Sequence, residues 1–282
     1  MSKHYTYQQL WQSLTPLYDA GEARAIVRML LEDRFGMTMP DILCYGTERL
    51  DSNALCTLDA MMRRLRDAEP VQYVLGQASF CGRWLKVEPG VLIPRPETEE
   101  LCHWVEEEAP KHPTILDIGC GSGCIAVTLA LDIPNSKVTA CDISDKALEM
   151  TLHNAAALGG EIKTQRLDIL DMNSNCGMRE WDIIVSNPPY ICAHESASMH
   201  PNVKRYEPHE ALYVPDNNPQ LFYNAIARHA NYCLKHGGLL FMECNPEQID
   251  DTAGVLAEAS LDNITFRHDQ YGKKRFIKAT MP

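Results

Sequence analysis

The clearest chemical feature of the sequence is the tetrapeptide Asn187-Pro188-Pro189-Tyr190, which follows an apolar run at 181–186. Each proline fixes its own φ, lacks an N–H, and holds the residue before it extended. Asn187 and Pro188 therefore present two acceptors, a side-chain oxygen and a carbonyl oxygen. Two acceptors suit a planar NH2 group, which has two N–H donors, and Tyr190 adds an aromatic face. These residues predict a site that turns a nitrogen lone pair toward an electrophile. A rigid loop with a packed Tyr190 is the alternative.

The second feature is a glycine-rich segment that ends one predicted strand and opens a helix. Its glycines let the backbone pass close to a ligand. The dinucleotide fingerprint G-x-G-x-x-G/A fails, because Cys124 stands at its last position, and no G-x-x-x-x-G-K-[ST] loop occurs. The form G-x-G-x-G is typical of S-adenosylmethionine (AdoMet) binding in methyltransferases, with a tight turn as the alternative. The candidate cofactor contacts in this segment are Asp117, Gly119, Cys120, Gly121, Ser122 and Gly123.

Acidic residues follow the next two predicted strands. Asp142 ends the second strand, where a carboxylate can accept from both ribose hydroxyls of a nucleoside. A helix cap, shared with Ser144, is the alternative. Asp168 follows the third strand and is placed to accept from an adenine amino group, with Ile169 on the adenine face. A turn residue is an equal alternative for Asp168.

Together these features predict methyl transfer to an amide or amino nitrogen. A sulfonium methyl is already electrophilic, and the nucleophile must come within ~3–3.5 Å of it. An amide nitrogen is a poor nucleophile because its lone pair is delocalised. Accepting both of its N–H hydrogens pushes electron density onto nitrogen, and fixed acceptors stabilise the developing positive charge. No separate general base is required.

Apolar periodicity predicts the elements that position these residues. Residues 1–69 are predicted helical, and 78–87 form a hairpin around Gly82-Arg83. From Thr98 onward strands and helices alternate, with strands predicted at 114–118, 137–142, 161–167, 181–186 and 238–243 among them. This alternation predicts a mostly parallel seven-stranded, Rossmann-like α/β sheet with helices on both faces. The carboxyl ends of such strands bind ligands. We expect a helical substrate-recognition domain at 1–72, a linking hairpin at 73–93 and a methyltransferase domain at 94–282.

Composition narrows the possible partners. The net charge is −12, and residues 1–75 hold 8 basic and 10 acidic residues against 18 and 28 in the remainder. An acidic chain is a poor candidate for non-specific nucleic-acid binding. No stretch approaches the ~20 apolar residues of a membrane span, and no signal-peptide pattern occurs, so we expect a cytoplasmic protein. The 11 cysteines include no C-x-x-C pair and the histidines no metal spacing, so no metal is predicted.

The chain resembles the PrmC/HemK family, the N5-glutamine methyltransferases of peptide chain release factors. The resemblance covers nearly the whole chain. The segments that carry it are Glu69-Pro70, Leu75-Gly76, Leu92-Ile93-Pro94-Arg95-Pro96-Glu97-Thr98-Glu99, the 117–123 loop, 186–190, Arg205-Tyr206-Glu207-Pro208, Gly237-Gly238 and 269–275. It implies AdoMet as cofactor and, as substrate, the glutamine of a Gly-Gly-Gln motif in a bacterial release factor.

The resemblance also implies roles for individual residues. Asn187 and Pro188 would hold the substrate amide, with Pro189 and Tyr190 beside them. Arg95 and Glu99 would line the cofactor mouth, with an ion pair at a helix start as the alternative. The loop 191–218 is too long for a passive connection and would act as a substrate lid. Arg205 and Glu207 would organise that lid and contact the substrate, with a structural Arg–Glu pair as the alternative.

Three other functions stay open on the sequence. An amino-methyltransferase of adenine would have to flip its base and bind phosphate, which the acidic charge disfavours. A glutamine methyltransferase of a ribosomal protein and a non-catalytic AdoMet-binding protein are the others. Release factors are the expected partners. We expect no stable nucleic-acid binding, no membrane association and a monomer.

Overall fold

The structure is a computed structural model, which describes residues 4–171 and 178–282. It divides into two compact units. The first comprises residues 1–77 together with 200–206, and the second comprises 78–199 together with 207–282.

The first unit is a small helical bundle. Its first helices are α1 (Tyr7–Gln12), α2 (Ala20–Phe35), α3 (Met39–Tyr45), α4 (Ser52–Arg66) and α5 (Val71–Leu75). Asp19 begins α2 by accepting from the backbone N–H groups of Gly21 and Glu22, and Gly36 ends it in the left-handed conformation with φ +64°. Apolar side chains at helical spacing on α2 and α4, among them Leu30 and Leu58, form the buried core of the bundle.

Helix α5 differs from the prediction, which ended helical structure at Glu69-Pro70. The chain instead begins a new helix directly after Pro70 and ends it at Gly76, which has φ +76°. Proline suits a helix start because its missing N–H has no helical partner there. Val71 and Val74 then pack in the core of the bundle.

The second unit begins with the hairpin β1 (Gln77–Phe80) and β2 (Arg83–Lys86). Alternating helices and strands follow. They are α6 (Pro96–Glu108), β3 (Thr114–Ile118), α7 (Cys124–Asp132), β4 (Lys137–Asp142), α8 (Asp145–Leu158), β5 (Ile162–Arg166), β6 (Trp181–Ser186), the short β7 (Ile191–Cys192), α9 (Pro201–Tyr206), the short β8 (Tyr213–Val214), α10 (Leu221–Cys233), β9 (Leu234–Glu243), α11 (Ile249–Glu258), β10 (Asp262–His268) and β11 (Lys274–Thr280). Of these, α9 belongs to the helical unit.

The main sheet has seven strands in the order β10-β11-β9-β6-β3-β4-β5. The pairs β9–β6, β6–β3, β3–β4 and β4–β5 are parallel, whereas β11 is antiparallel to both of its neighbours. The predicted fold class, a mostly parallel seven-stranded sheet with helices, is therefore confirmed. Within the described ranges, no helix has both the length and the apolar character needed to cross a membrane.

Both faces of the sheet are buried, as the continuous apolar run of β6 predicted. Ile183 and Val185 point into a cluster formed with α6 and α7, while Ile184 points into the opposite cluster with α10 and α11. Alternation of side chains along a strand produces this division. The sheet is thus a rigid layer whose strand ends are fixed relative to one another.

Strand β9 begins four residues earlier than its predicted start at Gly238. Its pairing with β6 shifts register between Trp181 and Ile183, and Gly237 has φ +76° within the strand. The glycine permits the irregular backbone that this register shift requires.

The loop predicted at 191–218 contains several short elements. Its two ends pair with each other through β7 and β8. Its middle belongs to the helical unit, where the His200 ring stacks on Tyr18 at 4.9 Å and the Tyr206 hydroxyl donates to the Asp67 carbonyl at 2.9 Å. These contacts give the segment a defined position within that unit.

Candidate active site

The carboxyl ends of the parallel strands surround a cavity of about 350 Å³ in the second unit. Sheet register explains why, since Ile118 pairs with Cys141 and Ser186, and Ser186 pairs with Met242. The residues that follow these strands therefore meet at one edge. The predicted site residues that line the cavity are Arg95, Gly119, Cys120, Gly121, Ser122, Asp142, Asp168, Ile169, Asn187, Pro188 and Pro189.

Several other predicted site residues are not part of the cavity wall. They are Glu99, Asp117, Gly123, Tyr190, Arg205 and Glu207. Sequence reasoning missed several residues of the wall, among them Thr98, Ile143 and Glu210. Thr98 stood within a segment already noted for its resemblance, but no local pattern indicated its role.

The three glycines of the loop after β3 serve two different purposes. All three have positive φ, and a Cβ added to Gly119 or Gly121 would meet no atom within 4 Å. A Cβ on Gly123 would instead meet Thr151 at 2.9 Å. The first two glycines thus leave open space for a ligand, while Gly123 allows close packing between the loop and α8.

Asp142 fixes the position of the glycine loop through a hydrogen bond to its backbone. Its carboxylate accepts from the backbone N–H of Gly121 at 3.0 Å and from that of Ser144 at 2.9 Å. Burial raises its pKa, and the backbone hydrogen bonds oppose that shift. Ser144 caps α8 through its own hydroxyl, which accepts from Ala147. Asp142 therefore lines the cavity while Ser144 performs the capping role that the two residues were predicted to share.

Asp168 both stabilises a turn and lines the cavity, which are the two alternatives considered for it. Its carboxylate accepts from the backbone N–H of Leu170 at 2.9 Å, as a turn residue does. It also lines the cavity, beside Ile169. The geometry leaves the adenine role of these two residues a prediction.

Asp117 lies directly beneath the glycine loop and is completely buried. One carboxylate oxygen accepts from Ala126 at 3.1 Å. The other, Oδ1, has no hydrogen-bond partner among the residues that the structure describes. Burial raises the pKa of Asp117 to about 7. A buried polar atom without a partner is uncommon in native proteins, and here it lies at the start of the predicted cofactor loop.

A hydrogen-bonded chain connects the tetrapeptide to a buried carboxylate at the end of β9. Asn187 Nδ2 donates to the Thr98 hydroxyl at 3.0 Å, and Thr98 donates to Glu243 Oε2 at 2.7 Å. The Tyr190 hydroxyl donates to the other oxygen, Oε1, at 3.1 Å. Burial raises the pKa of Tyr190 and that of Glu243. The side-chain oxygen of Asn187 is consequently left for the cavity.

The structure replaces the two alternatives, an Arg95–Glu99 pair and an Arg205–Glu207 pair, with one ion pair between Arg95 and Glu207. Glu207, which is buried, accepts from the Arg95 guanidinium at 2.6 Å and from the backbone N–H of Ile93 at 3.2 Å. The partner of Arg95 is therefore Glu207 and not Glu99. Arg205 is exposed, with its guanidinium 5.5 Å from the Tyr206 ring centroid. Arg95 and Glu207 are 112 positions apart, so their contact depends on the tertiary fold and could not be predicted from local sequence spacing.

The cysteines of the glycine loop are protonated thiols. Burial raises the pKa of Cys120 well above its usual value and that of Cys124 to about 12. A thiol is a weak nucleophile compared with a thiolate. These residues therefore pack as small, uncharged side chains.

Cys192, His194 and Asp216 form a cluster that the sequence spacing did not indicate. Each offers one potential ligand atom, and these atoms lie within 4.8 Å of one another. Asp216 accepts from both the backbone N–H and Nδ1 of His194, at 3.1 and 2.9 Å. These two hydrogen bonds, which join the ends of the 191–218 segment, explain why the three side chains lie close together.

Two protein-family models match the chain. The PrmC N-terminal domain matches residues 10–76, and the methyltransferase small domain matches residues 98–204. These ranges fall in the helical unit and largely in the sheet-containing unit, respectively.

The chain is similar to curated relatives over nearly its whole length. It is 38% identical to the release factor glutamine methyltransferase of Flavobacterium psychrophilum over 278 residues, which covers 96% of each chain. Against the protein of the same name from Bacteroides thetaiotaomicron the identity is 38%, with 95% of this chain and 96% of that one covered. A methyltransferase structure from Pyrococcus furiosus aligns with a TM-score of 0.54 at 14% identity, covering 82% of this chain and 98% of that chain. The structural likeness supports the fold alone.

Proposed function

Because the chain belongs to the family of release factor glutamine methyltransferases, we propose that it methylates the side-chain amide nitrogen of a glutamine in a peptide chain release factor. The methyl donor is AdoMet, and the glutamine is that of a Gly-Gly-Gln motif. One observation carries the proposal. Asn187 and Pro188 line the same cavity as the glycine loop, so an amide held by the first pair lies beside a cofactor held by the second.

The polar groups of the cavity fit AdoMet, and its volume of about 350 Å³ lies within the usual range for small-molecule sites. Gly119 and Gly121 leave open space along the loop, and Asp142 offers a carboxylate at the position where ribose hydroxyls bind in related folds. Asp117 lies outside the cavity wall and supports the glycine loop from behind, since its carboxylate accepts from the backbone N–H of Ala126 at the start of α7. When bound, AdoMet supplies an electrophilic methyl group.

The protein's own groups prepare the amide for reaction. The Asn187 side-chain oxygen and the Pro188 carbonyl accept the two N–H hydrogens of the substrate amide and fix its plane. This places negative partial charge beside the nitrogen as it becomes positive in the transition state. Pro188 and Pro189 keep the acceptors from rotating away, since each proline restricts the backbone. The alkylated nitrogen loses a proton readily, so no basic side chain is needed at this position.

The helical unit is proposed to hold the body of the release factor. It exposes Leu43 and Tyr45 on α3, and the Arg49 guanidinium lies 3.8 Å from the Tyr45 ring centroid. Exposed aromatic and arginine side chains are enriched at protein interfaces. The segment 191–218 is proposed as the lid over the glutamine, since it follows Tyr190 directly. A cytoplasmic location and a monomeric state stay predictions of the sequence.

A transfer assay tests the proposed function. The protein is incubated with AdoMet labelled in its methyl group, together with a release factor, a ribosomal protein fraction and duplex DNA in parallel. We expect label in the release factor, and none when its Gly-Gly-Gln glutamine is replaced by asparagine. Label in DNA or a ribosomal protein, with none in the release factor, would contradict the proposal.

A second measurement locates the chemistry in the protein. Asn187→Ala should reduce single-turnover methylation far more than AdoMet binding, since Asn187 acts on the substrate nitrogen. Asn217→Ala, in the described part of the lid but outside the cavity wall, is the matched control. If Asn187→Ala keeps the wild-type single-turnover rate, Asn187 does not align the amide.

A further inference from the structure

We infer that Thr98 and Glu243 are positioning residues, which set the side-chain amide of Asn187 so that its oxygen, and not its NH2 group, faces the substrate. The inference rests on the proposed function, because it concerns how the substrate amide is recognised. It assigns a role to two residues that local sequence patterns did not single out.

The three residues form a continuous chain of short hydrogen bonds. Asn187 Nδ2 lies 3.0 Å from the Thr98 hydroxyl oxygen, which lies 2.7 Å from Glu243 Oε2. Thr98 is 2% exposed and Glu243 is 1% exposed, so water does not compete for either group. The chain crosses the site from the start of α6 to the ends of β9 and β6.

The direction of each hydrogen bond follows from the carboxylate at the end of the chain. An ionised carboxylate only accepts, so the single hydroxyl proton of Thr98 is used on Glu243. The Thr98 oxygen can then only accept from Asn187. Asn187 must turn its NH2 group toward Thr98, and its oxygen consequently faces the cavity. A freely rotating Asn could present either end to the substrate.

Burial raises the pKa of Glu243, and Tyr190 and the positive charge of Arg275 oppose that shift and so favour the accepting, ionised form. Tyr190 donates to Oε1 at 3.1 Å, so each carboxylate oxygen has a donor. The positive charge of Arg275 also acts on Glu243, and Arg275 is held by Asp269 at 2.7 Å. Tyr190 thus has a structural role in the tetrapeptide. It packs against the core behind the cavity and contributes its hydroxyl to Glu243.

Burial of a carboxylate beside the tetrapeptide is costly, which argues against an incidental contact. Removing an ionised group from water carries a free-energy penalty, which fixed hydrogen bonds must offset. A leucine or methionine at the end of β9 would fill the same space without that penalty. The placement is explained if the carboxylate sets the direction of the chain of donors that ends at Asn187.

Two substitutions at Thr98 distinguish the effect of its hydrogen bonds from the effect of its side-chain packing. Thr98→Val keeps the shape but removes the hydroxyl, and we expect ~10- to 100-fold slower single-turnover methylation of a Gly-Gly-Gln peptide. Thr98→Ser restores the hydroxyl and should recover most of that loss. AdoMet affinity, measured by calorimetry, should change less than about threefold in both variants. Thr252→Val, which removes a buried hydroxyl that bonds to Gln220 outside the cavity wall, controls for the general cost of losing a buried hydroxyl.

Glu243→Gln distinguishes a positioning role of Glu243 from a purely structural one. A glutamine there can donate to Thr98, which then donates to Asn187 and turns the Asn187 NH2 group toward the cavity. The probes are two short peptides, one with the Gly-Gly-Gln sequence and one with Gly-Gly-Glu in its place. We expect the wild-type protein to favour the glutamine peptide, and the ratio of the two dissociation constants to fall at least about tenfold in Glu243→Gln and in Thr98→Val.

The outcomes separate this inference from the proposed function. If the wild-type protein fails to methylate any release factor or peptide, the proposed function is wrong and the inference falls with it. If the wild-type protein is active, and Thr98→Val and Glu243→Gln keep both its rate and its peptide preference, the inference alone is overturned. A loss of rate in Thr98→Val that Thr98→Ser does not recover, with an unchanged peptide preference, also overturns it.

Discussion

Arg95 and Glu207 lie 112 positions apart in the sequence, and their side chains form an ion pair at 2.6 Å. The Glu207 side chain is only 1% exposed and also accepts from the Ile93 backbone, whereas Arg95 is 31% exposed. The pair joins the chain just before α6 to the interior of the lid segment 191–218. From the resemblance, Arg95 was expected at the cofactor mouth and Glu207 in the lid, and the ion pair connects these two regions.

Loss of this pair should destabilise the protein. Arg95→Met leaves the Glu207 carboxylate buried without its charged partner, and we expect the free energy of unfolding to fall by about 2–3 kcal/mol. Glu207→Gln keeps an acceptor for Ile93 and should cost less. Urea denaturation of both single variants and the double variant yields the coupling energy. If the effects of the two substitutions simply add, the pair contributes nothing specific.

Asp142 should control cofactor affinity. Asp142→Ala removes hydrogen bonds worth about 1–3 kcal/mol, which corresponds to roughly 5- to 150-fold weaker AdoMet binding. Calorimetric titration measures the change, and circular dichroism checks that the variant is folded. Asp145→Ala is the matched control, since Asp145 starts the same helix but is not part of the cavity wall. An equal loss in both variants would assign the effect to α8 and not to a cofactor contact.

Asp117 should make stability depend on pH. Its folded pKa of about 7 exceeds its ordinary value of 3.8, so between these values the folded protein retains a proton that the unfolded chain has released. This contribution to stability is complete at low pH and is lost as the pH rises toward 7. The slope is at most about 1.4 kcal/mol per pH unit.

Asp117→Asn imitates the protonated form and removes this dependence. We expect the stability of the variant relative to wild type to rise between pH 5 and 7 and to level off above pH 8, in urea unfolding without cofactor. Because other groups titrate equally in both proteins, they cancel in the difference. A difference that stays constant with pH would mean that Asp117 is ionised throughout this range.

Exposed residues of the helical unit should affect intact substrate alone. Leu43→Ala combined with Tyr45→Ala should raise KM for a whole release factor by about tenfold, since interface energy is concentrated in few aromatic and apolar side chains. The rate on a short Gly-Gly-Gln peptide should not change, because the peptide lacks the body of the release factor that α3 is proposed to bind. Tyr271→Ala, at a residue 70% exposed in the second unit, is the control. If the double substitution impairs methylation of the peptide and of the whole release factor equally, α3 does not recognise the release factor.

The sequence indicated the fold and the local parts of the site because these depend on short-range physics. Alternation and apolar runs placed the strands, and β3, β4 and β6 begin and end where they were predicted. The prolines fix the backbone around Asn187 whatever surrounds it. A signal for Glu243 was also present, since this acidic residue directly follows the apolar run 239–242 at the end of β9, but the sequence does not show which side chains it contacts.

What the sequence determined by itself is therefore the order of elements, the parallel sheet and the edge at which the glycine loop, Asp142 and the tetrapeptide meet. The tertiary structure alone decided the partners: Glu207 for Arg95, and Thr98 with Glu243 for Asn187. Thr98 and Glu243 are 145 positions apart, and their contact depends on sheet register and on the packing of α6 over the strand ends. A hydrogen bond requires atoms to agree within a few tenths of an ångström, which residue spacing along the chain cannot specify.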